Sequence, residues 1–536
     1  MNKTRQLEDK MKQLEADNER HKTSLTHVMN EMSETKQENK QLKENYLKVQ
    51  MEIDQMRSFK DEDIRKYKEF QLKLKTPETD MERQAMSSLV VVAIDLGTTY
   101  SGWAFLYNSD HKRDTLKITA KAAQNQYVSL KVPTCILINP DGETPHSFGY
   151  EAEDNYAEKC ENGEQNQWFF FKRFKMMLFR EKVMTSHAEL EDQTGKKLPA
   201  LRVFSLFIDF LKKGVLDTLS NHVGNTIIAS GIHWVLTVPA ILTDTAKQFM
   251  REAAQQAGIP EENLSLCLEP EAASIYCRHL AVSKCTKQEV TSISQFSPGT
   301  KYLVLDAGET VDITVHKVTH RGNFEELHKA SSGAWVGTKV DEAFEEFLTS
   351  IFGPVVISKF KSQYIQDYID FFRAFESKKH KSIQSTRSVT MRIPVSLFEL
   401  CLVLKETELR ELILQSRFES KVQVLRDKLR IDCEVFKEFF EPTVRKIISH
   451  VENILTECSV DGCAAILMVG GFSESSVLQK NVKSTFKDLK VIIPFEANLA
   501  VLKGAVIFGH QLATITERNC KYTYGEKQLI GTMIDA

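Results

Sequence analysis

The sequence predicts an α/β protein made of two related halves and preceded by a long α-helical segment that pairs as a coiled coil. Three observations carry this. Residues 1–75 contain neither proline nor glycine and space their apolar side chains in a 4-3 rhythm, the mark of a helical seam. From Leu89 onward, short β-branched runs alternate with helical stretches. Two strand-turn-strand segments of one design, around Asp95 and Asp306, lie far apart in the chain, as a duplicated unit requires.

The helical segment comes first. Leu7, Met11, Leu14, Leu25, Val28, Met32, Leu42, Tyr46, Val49, Ile53 and Met56 fall on one register, interrupted by Asn18, His21, Thr35 and Asn39. Asn18 and Asn39 share the a positions, where a buried Asn fixes a parallel pair and its alignment. The stretch from Leu7 to Met56 would extend roughly 75 Å at about 1.5 Å per residue. It is expected to form a homodimer or to join a helical partner through residues 7–56. The register fades near Ser58, and "KTPETDMERQAMSS" supplies a proline and polar residues. Residues 76–88 therefore read as a linker.

With 536 residues, 42% of them hydrophobic, the chain can bury more than one core. A formal net charge of −3 gives no general basic excess, so no nucleic acid is expected as partner. The ten cysteines include no CxxC pair and read as free thiols in a reducing compartment. No apolar run reaches membrane-spanning length and no leader opens the chain, so a cytoplasmic protein without a transmembrane segment is expected.

In the α/β part, "LVVVAID", "HWVLTVP", "YLVLDAG", "DITVHKV" and "AAILMVGG" read as strands. "DTAKQFMREAAQQAG" and the long run "CEVFKEFFEPTVRKIISHVENILTEC" read as helices, and "LSNHVGNTIIASG" and "SKCTKQEVTSISQFSPGT" as loops. Several strands end in an acid or a glycine, which is where α/β sheets place their chemistry.

Three of these strand ends carry the candidate site. "VVVAI" runs into Asp95-Leu-Gly97-Thr98-Thr99-Tyr100-Ser101-Gly102 and returns as "WAFLY", a hairpin whose tip is rich in amides and hydroxyls. Such a tip can cup a phosphate while its acid orients metal-bound water. Taken alone, an ordinary hairpin turn explains it as well. "YLVL" runs into Asp306-Ala-Gly308-Glu309-Thr310-Val-Asp312 and returns as "ITVHKV", the same design. In "ILMVGGFSES", Gly470 and Gly471 follow a buried strand, where a ring or ribose can lie against bare backbone. No HExxH or GxSxG constellation competes with this set.

"DLGTTYS" resembles the first phosphate motif of the actin-like ATPase superfamily, in wording closest to the 70-kDa heat-shock chaperones. "VLTVPA", "LEPEAAS", "DAGETVD" and "MVGGFSES" follow in the order of that family. "FGYEAED", "FFFKRFKMML" and "HWVLTVPAIL" are most similar to its atypical heat shock 70 kDa protein 12 branch. The resemblance implies a two-lobed, duplicated ribonuclease H-like fold over residues 89–512, with lobes of about 89–295 and 300–512, and ATP or ADP with Mg2+ between them. It places Asp95 and Asp306 near the metal, Gly97, Thr98, Thr99 and Tyr100 on the phosphates, and Glu269 on a water near the metal. It assigns Gly308, Thr310 and Asp312 to the second phosphate loop, Glu376 and Lys379 to ribose and adenine, and Gly470 and Gly471 to the adenosine. The catalytic lysine falls in "FFKRFKMM", where Lys172 and Lys175 both fit and Lys175 is taken.

Two departures qualify what the resemblance implies. The second loop is shorter than the family's and has Glu309 where a further glycine is usual. A carboxylate at about 4 Å from a phosphate would be repelled by on the order of 4 kcal/mol at an effective dielectric near 20. After His510 only "QLATITERNCKYTYGEKQLIGTMIDA" follows, so residues 513–536 are expected to be a short tail with no peptide-binding domain. The expected function is a nucleotide-dependent conformational switch, chaperone-like in family and slow in ATP hydrolysis, coupled to a dimerising coiled coil. A pseudo-ATPase scaffold is the alternative, and a small-molecule kinase of the same superfamily a more distant one.

Overall fold

The two hairpins sit at the centres of two sheets built to one plan. The structure is a computed structural model that describes residues 11, 88–121, 130–180, 184–185, 187–223, 231–280, 293, 296–308, 310–320, 323–333, 337–379, 388–457, 460–511 and 515–517. The chain divides into two units, Met1–Ala85 and Met86–Ala536. In the first unit only Met11 is described, as helical, so the expected coiled coil and its pairing lie outside the described residues.

Among the described residues the first sheet has six strands: Val90–Asp95 (β1), Tyr100–Tyr107 (β2), Thr119–Lys121 (β3), Val132–Pro133 (β4), Ile232–Val238 (β5) and Leu264–Leu268 (β6). Its order is β6-β5-β1-β2-β3, with β4 also on β2. The second sheet also has six: Lys301–Ala307 (β7), Val311–Val318 (β8), Phe324–Gly333 (β9), Cys463–Val469 (β10), Lys490–Ile492 (β11) and Ile515–Glu517 (β12). Its order is β11-β10-β7-β8-β9-β12. In each sheet the hairpin is antiparallel and its first strand runs parallel to the strand on its other side. This repeated pairing is the duplication expected from the two motifs, and each strand read from the sequence is present.

Strand periodicity aims the chemistry. Side chains alternate between the faces of a strand. Val90, Val92 and Ile94 enter the outer core of the first sheet, under the helices Ala200–Val223 and Asp244–Gln256. Val91 and Ala93 enter a middle core that both sheets share. Asp95 has the parity of Val91 and Ala93, so it points to the shared side. In β7, Leu303 and Leu305 belong to the outer core of the second sheet, whereas Tyr302 and Val304 belong to the middle core. Asp306 has the parity of that second pair. Both acids therefore face the region between the sheets. Because both faces of β1 are covered, all six of its residues are buried, which explains its unbroken apolar run.

Four helices frame that region: Gly149–Glu161 (α1), Glu269–His279 (α2), Ile365–Lys379 (α3) and Ala500–His510 (α4). Helices α2 and α4 supply much of the middle core. They touch at Gly504, where a Cβ would stand 1.7 Å from the Ala272 carbonyl oxygen, so only glycine permits this crossing.

Two expectations are corrected. The run from Cys433 is two helices, Cys433–Glu438 and Glu441–Leu455, because the chain turns at Phe439 and Phe440 and Pro442 falls in the first turn of the second, where its missing N–H costs nothing. Residues 219–223, read as the start of a loop, complete the helix Ala200–Val223, whose apolar side chains Val215 and Leu219 continue into the outer core.

Candidate functional site

The carboxylate of Asp95 is held at the end of β1 by two donors. Thr237 Oγ1 on the neighbouring β5 donates to Oδ1 at 2.7 Å, and Lys131 Nζ donates to Oδ2 at 2.7 Å. The turn that follows is pinned by Thr134. Its N–H donates to the Thr99 carbonyl (2.7 Å), and its hydroxyl donates to the Gly97 carbonyl (2.8 Å) and shares a hydrogen bond with Ser101. With the carbonyls of this turn engaged, Thr99 Oγ1 is buried and has no hydrogen-bond partner among the described residues.

On the second hairpin, Asp306 and Asp312 stand opposite one another in register, and the Gly308 N–H donates to the Thr310 carbonyl at 3.0 Å. Glu309 lies outside the described residues, so the expectation attached to its charge is neither met nor contradicted.

A left-handed residue, Arg173 (φ 55°), turns the chain from the strand Phe169–Lys172 into a single 3-10 turn that buries Lys175. Lys175 Nζ donates to Glu269 Oε1 at 2.6 Å. Glu269 opens α2, where the orphan N–H groups of a first turn favour an acid. Lys172, the other lysine of that motif, instead donates to Glu153 at 2.6 Å.

Glu376 and Lys379 form an ion pair one turn apart on α3, and Lys379 Nζ also donates to Asp341 Oδ1 at 2.8 Å. Gly470 follows β10 with φ +84°, and a Cβ there would lie 2.4 Å from Asp306 Oδ1. Gly471 has open space where its Cβ would be.

These groups converge. Asp95, Gly97, Thr98, Thr99, Tyr100, Lys175, Glu269, Asp306, Gly308, Thr310, Asp312, Glu376, Lys379, Gly470 and Gly471 all line one cavity of about 680 Å³. The same cavity is lined by residues that the sequence did not single out, among them Lys131, Tyr150, Arg373, Ser377, Phe472, Asn498, Leu499 and Val501. Arg373 had a signal, since it stands three residues before Glu376 and so on the same helix face. Lys131 had none, because only the pairing of β4 with β2 brings it to Asp95.

Arg373 also ties the two halves across the cavity. It donates to Glu153 Oε2 through Nε (3.1 Å) and Nη2 (2.8 Å), and to Asp154 Oδ1 through Nη1 (2.9 Å), both acids on α1. Arg173 on the first half likewise reaches Asp341 Oδ2 at 2.9 Å.

The electrostatics separate the acids. Burial works to raise the pKa of Asp95, but the ammonium groups of Lys131 and Lys175 and the hydrogen bonds from Lys131 and Thr237 outweigh it and hold the carboxyl below its ordinary value. Burial raises Glu269, and the charge of Asp95 adds to that, so even the hydrogen bond from Lys175 does not bring it back. Asp306 is pushed well above the carboxylate range by burial and then by Glu269, Asp312 and Asp95. A cavity with an excess of carboxylates over ammonium groups, one of them driven toward protonation, is electrostatically suited to a cation.

Among the described residues, no group of three or more His, Cys, Asp or Glu could hold a metal ion by itself. That fits magnesium, which takes one or two carboxylates and completes its shell with water and phosphate oxygens. The partnerless hydroxyl of Thr99 and the bare backbone at Gly471 fit a polar ligand with a flat or ribose-like part.

A family model described as Hsp70 protein matches residues 91–519. The chain belongs to the Hsp70 family. Within that family it is similar to human heat shock 70 kDa protein 12B, with 34% identity over 499 residues that cover 84% of this chain and 72% of that protein. It is similar to heat shock 70 kDa protein 12A of Mus musculus, with 32% identity over 84% of this chain and 73% of the relative. Human heat shock 70 kDa protein 12A is 33% identical over 82% of this chain and 72% of its own length. The Hsp70 match spans both hairpins, the Gly470-Gly471 pair and the whole cavity lining. Among the described residues of this Hsp70-family chain, no helix is long and apolar enough to cross a membrane.

Proposed function

We propose that the cavity binds ATP or ADP with Mg2+ and that the protein is a nucleotide-dependent switch with slow hydrolysis. One observation carries the reading: the two strand-end acids, Asp95 and Asp306, face one cavity together with the buried Lys175–Glu269 pair. Magnesium, when bound, would be held by Asp95 and Asp306 through its waters and would offset the charge of the phosphates.

The remaining work falls to the chain. The turn from Gly97 to Tyr100 offers amides and the Thr98 and Thr99 hydroxyls to one side of the phosphates, and Gly308, Thr310 and Asp312 face the other. Lys175 is immobilised by Glu269, so its ammonium is already oriented toward the charge that builds up during attack of water on the terminal phosphate. Glu269 would hold that water. Glu376 and Lys379 would fix the ribose and adenine, and the Gly470–Gly471 backbone would form a floor for the adenosine. Ion pairs from Arg373 to α1 and from Arg173 to Asp341 join the halves, so a ligand that favours the closed arrangement shifts the switch. The nucleotide unit is taken as residues 89–512, and residues 7–56 as the segment that couples two such switches or recruits a helical partner.

A second reading, nucleotide binding without turnover, is favoured by the hydrogen bond from Lys131 to Asp95, which engages the acid that would orient water. Binding and single-turnover hydrolysis on the full chain separate the two. Asp95→Ala is expected to abolish magnesium-dependent binding, and Lys175→Met to keep binding while lowering turnover by about a hundredfold or more. Binding with turnover indifferent to Lys175 would refute the assigned role, and no turnover in the parent would select the second reading.

A further inference from the structure

We propose that Lys131 is a built-in cation at the phosphate end of the cavity, standing in part for magnesium at Asp95, so that nucleotide binding depends only weakly on the metal. This rests on the nucleotide reading above. Lys131 directly precedes β4, whose residues Val132 and Pro133 pair with Ser101 and Tyr100 of β2. Backbone pairing therefore starts the lysine side chain beside the first turn. Its ammonium donates to Asp95 Oδ2 at 2.7 Å, with the lysine side chain 17% and the aspartate side chain 6% exposed. Thr237 occupies the other oxygen of the same carboxylate. Of the other two ammonium groups that line the cavity, that of Lys175 is committed to Glu269 and that of Lys379 to Asp341 and Glu376. Lys131 is thus the cation placed to neutralise Asp95 before any ligand arrives.

An ammonium and a hydrated divalent cation share one property and differ in another. Both offset negative charge on a carboxylate or a phosphate oxygen. Only the metal coordinates and acidifies water, whereas a lysine offers three donors and one charge on a flexible four-carbon stem. With that stem, Nζ can leave Asp95 for a phosphate oxygen without moving the backbone that β2 holds. A site equipped in this way retains its ligand when magnesium is scarce and gains no hydrolytic power from doing so.

The test is equilibrium binding of ATP to the full chain by calorimetry, with magnesium or with EDTA, for the parent, Lys131→Met and Lys131→Arg. The parent is expected to lose less than about tenfold in affinity in EDTA, and Lys131→Met on the order of tenfold more than the parent, the worth of one charge-assisted hydrogen bond. With magnesium present, Lys131→Met should bind within about threefold of the parent, and Lys131→Arg should follow the parent in both conditions. An equal loss for Lys131→Met with and without magnesium, as a purely structural role at Asp95 would give, overturns the inference. A parent that binds ATP with magnesium but not in EDTA overturns it alone, and this comparison needs no variant to fold. A parent that binds in neither condition sinks the nucleotide reading and this inference with it.

Discussion

Gly470 and Gly471 are neighbours with opposite demands, and alanine at each should separate what the fold requires from what the cavity requires. Gly470 has φ +84° and ψ 163°, a region closed to residues with a side chain. A Cβ there would meet Asp306 Oδ1 at 2.4 Å, the Ala307 carbonyl oxygen at 2.5 Å and its carbon at 2.7 Å. Two of these three are backbone atoms of β7, in the middle of a buried sheet, so the neighbours cannot yield cheaply. Forcing the backbone costs about 1–3 kcal/mol, and the overlap adds about 1–3 kcal/mol. Gly470→Ala should therefore lose about 2–6 kcal/mol of unfolding free energy. Gly471 has no positive φ and no atom within 4 Å of its Cβ position, so Gly471→Ala should change stability by no more than about 0.5 kcal/mol. Its methyl group projects into the cavity and should weaken nucleotide binding by about tenfold. Urea unfolding of the ligand-free chain and calorimetric titration with ATP measure both quantities. A Gly470→Ala protein as stable as its parent would refute the packing argument, and Gly471→Ala binding ATP like the parent would refute its place against the ligand.

Two further outcomes follow from the charges. Arg373→Ala removes both ion pairs to α1 but leaves Lys172 on Glu153, so the stability loss should be about 1–2 kcal/mol rather than the 3–5 of a fully abandoned buried charge, and stopped-flow release of a fluorescent nucleotide should quicken. Asp306 binds its proton more tightly in the folded than in the unfolded chain, so its stabilising contribution is complete at low pH and is lost as pH rises through the folded pKa. Asp306→Asn should then stabilise the ligand-free protein at neutral pH by about 1 kcal/mol, converge with the parent on acidification, and lose the increment in melting temperature that magnesium adds to that of ATP in the parent. Melting curves across pH, with and without ligand, check all three parts.

The sequence by itself determined the strands, the duplicated hairpins and the acids at their ends, because these are local. A run such as "VVVAID" can be satisfied only in a strand covered on both faces, and period-two alternation then fixes which way Asp95 points. The motif wording was enough to place the chain in its family and to collect much of the lining of one cavity from six separate stretches. Tertiary structure decided whatever depends on two distant segments meeting. Lys172 and Lys175 were equivalent in sequence until a left-handed Arg173 turned one toward Glu153 and the other toward Glu269. Lys131 carries no local signal, and its ammonium reaches Asp95 only because a two-residue strand pairs with β2. Arg373 is one more charge on a helix until α1 brings Glu153 and Asp154 to it. Backbone propensity and side-chain periodicity are properties of neighbouring residues, whereas an ion pair across a cavity is a property of the fold, and its energy does not exist until the chain has closed.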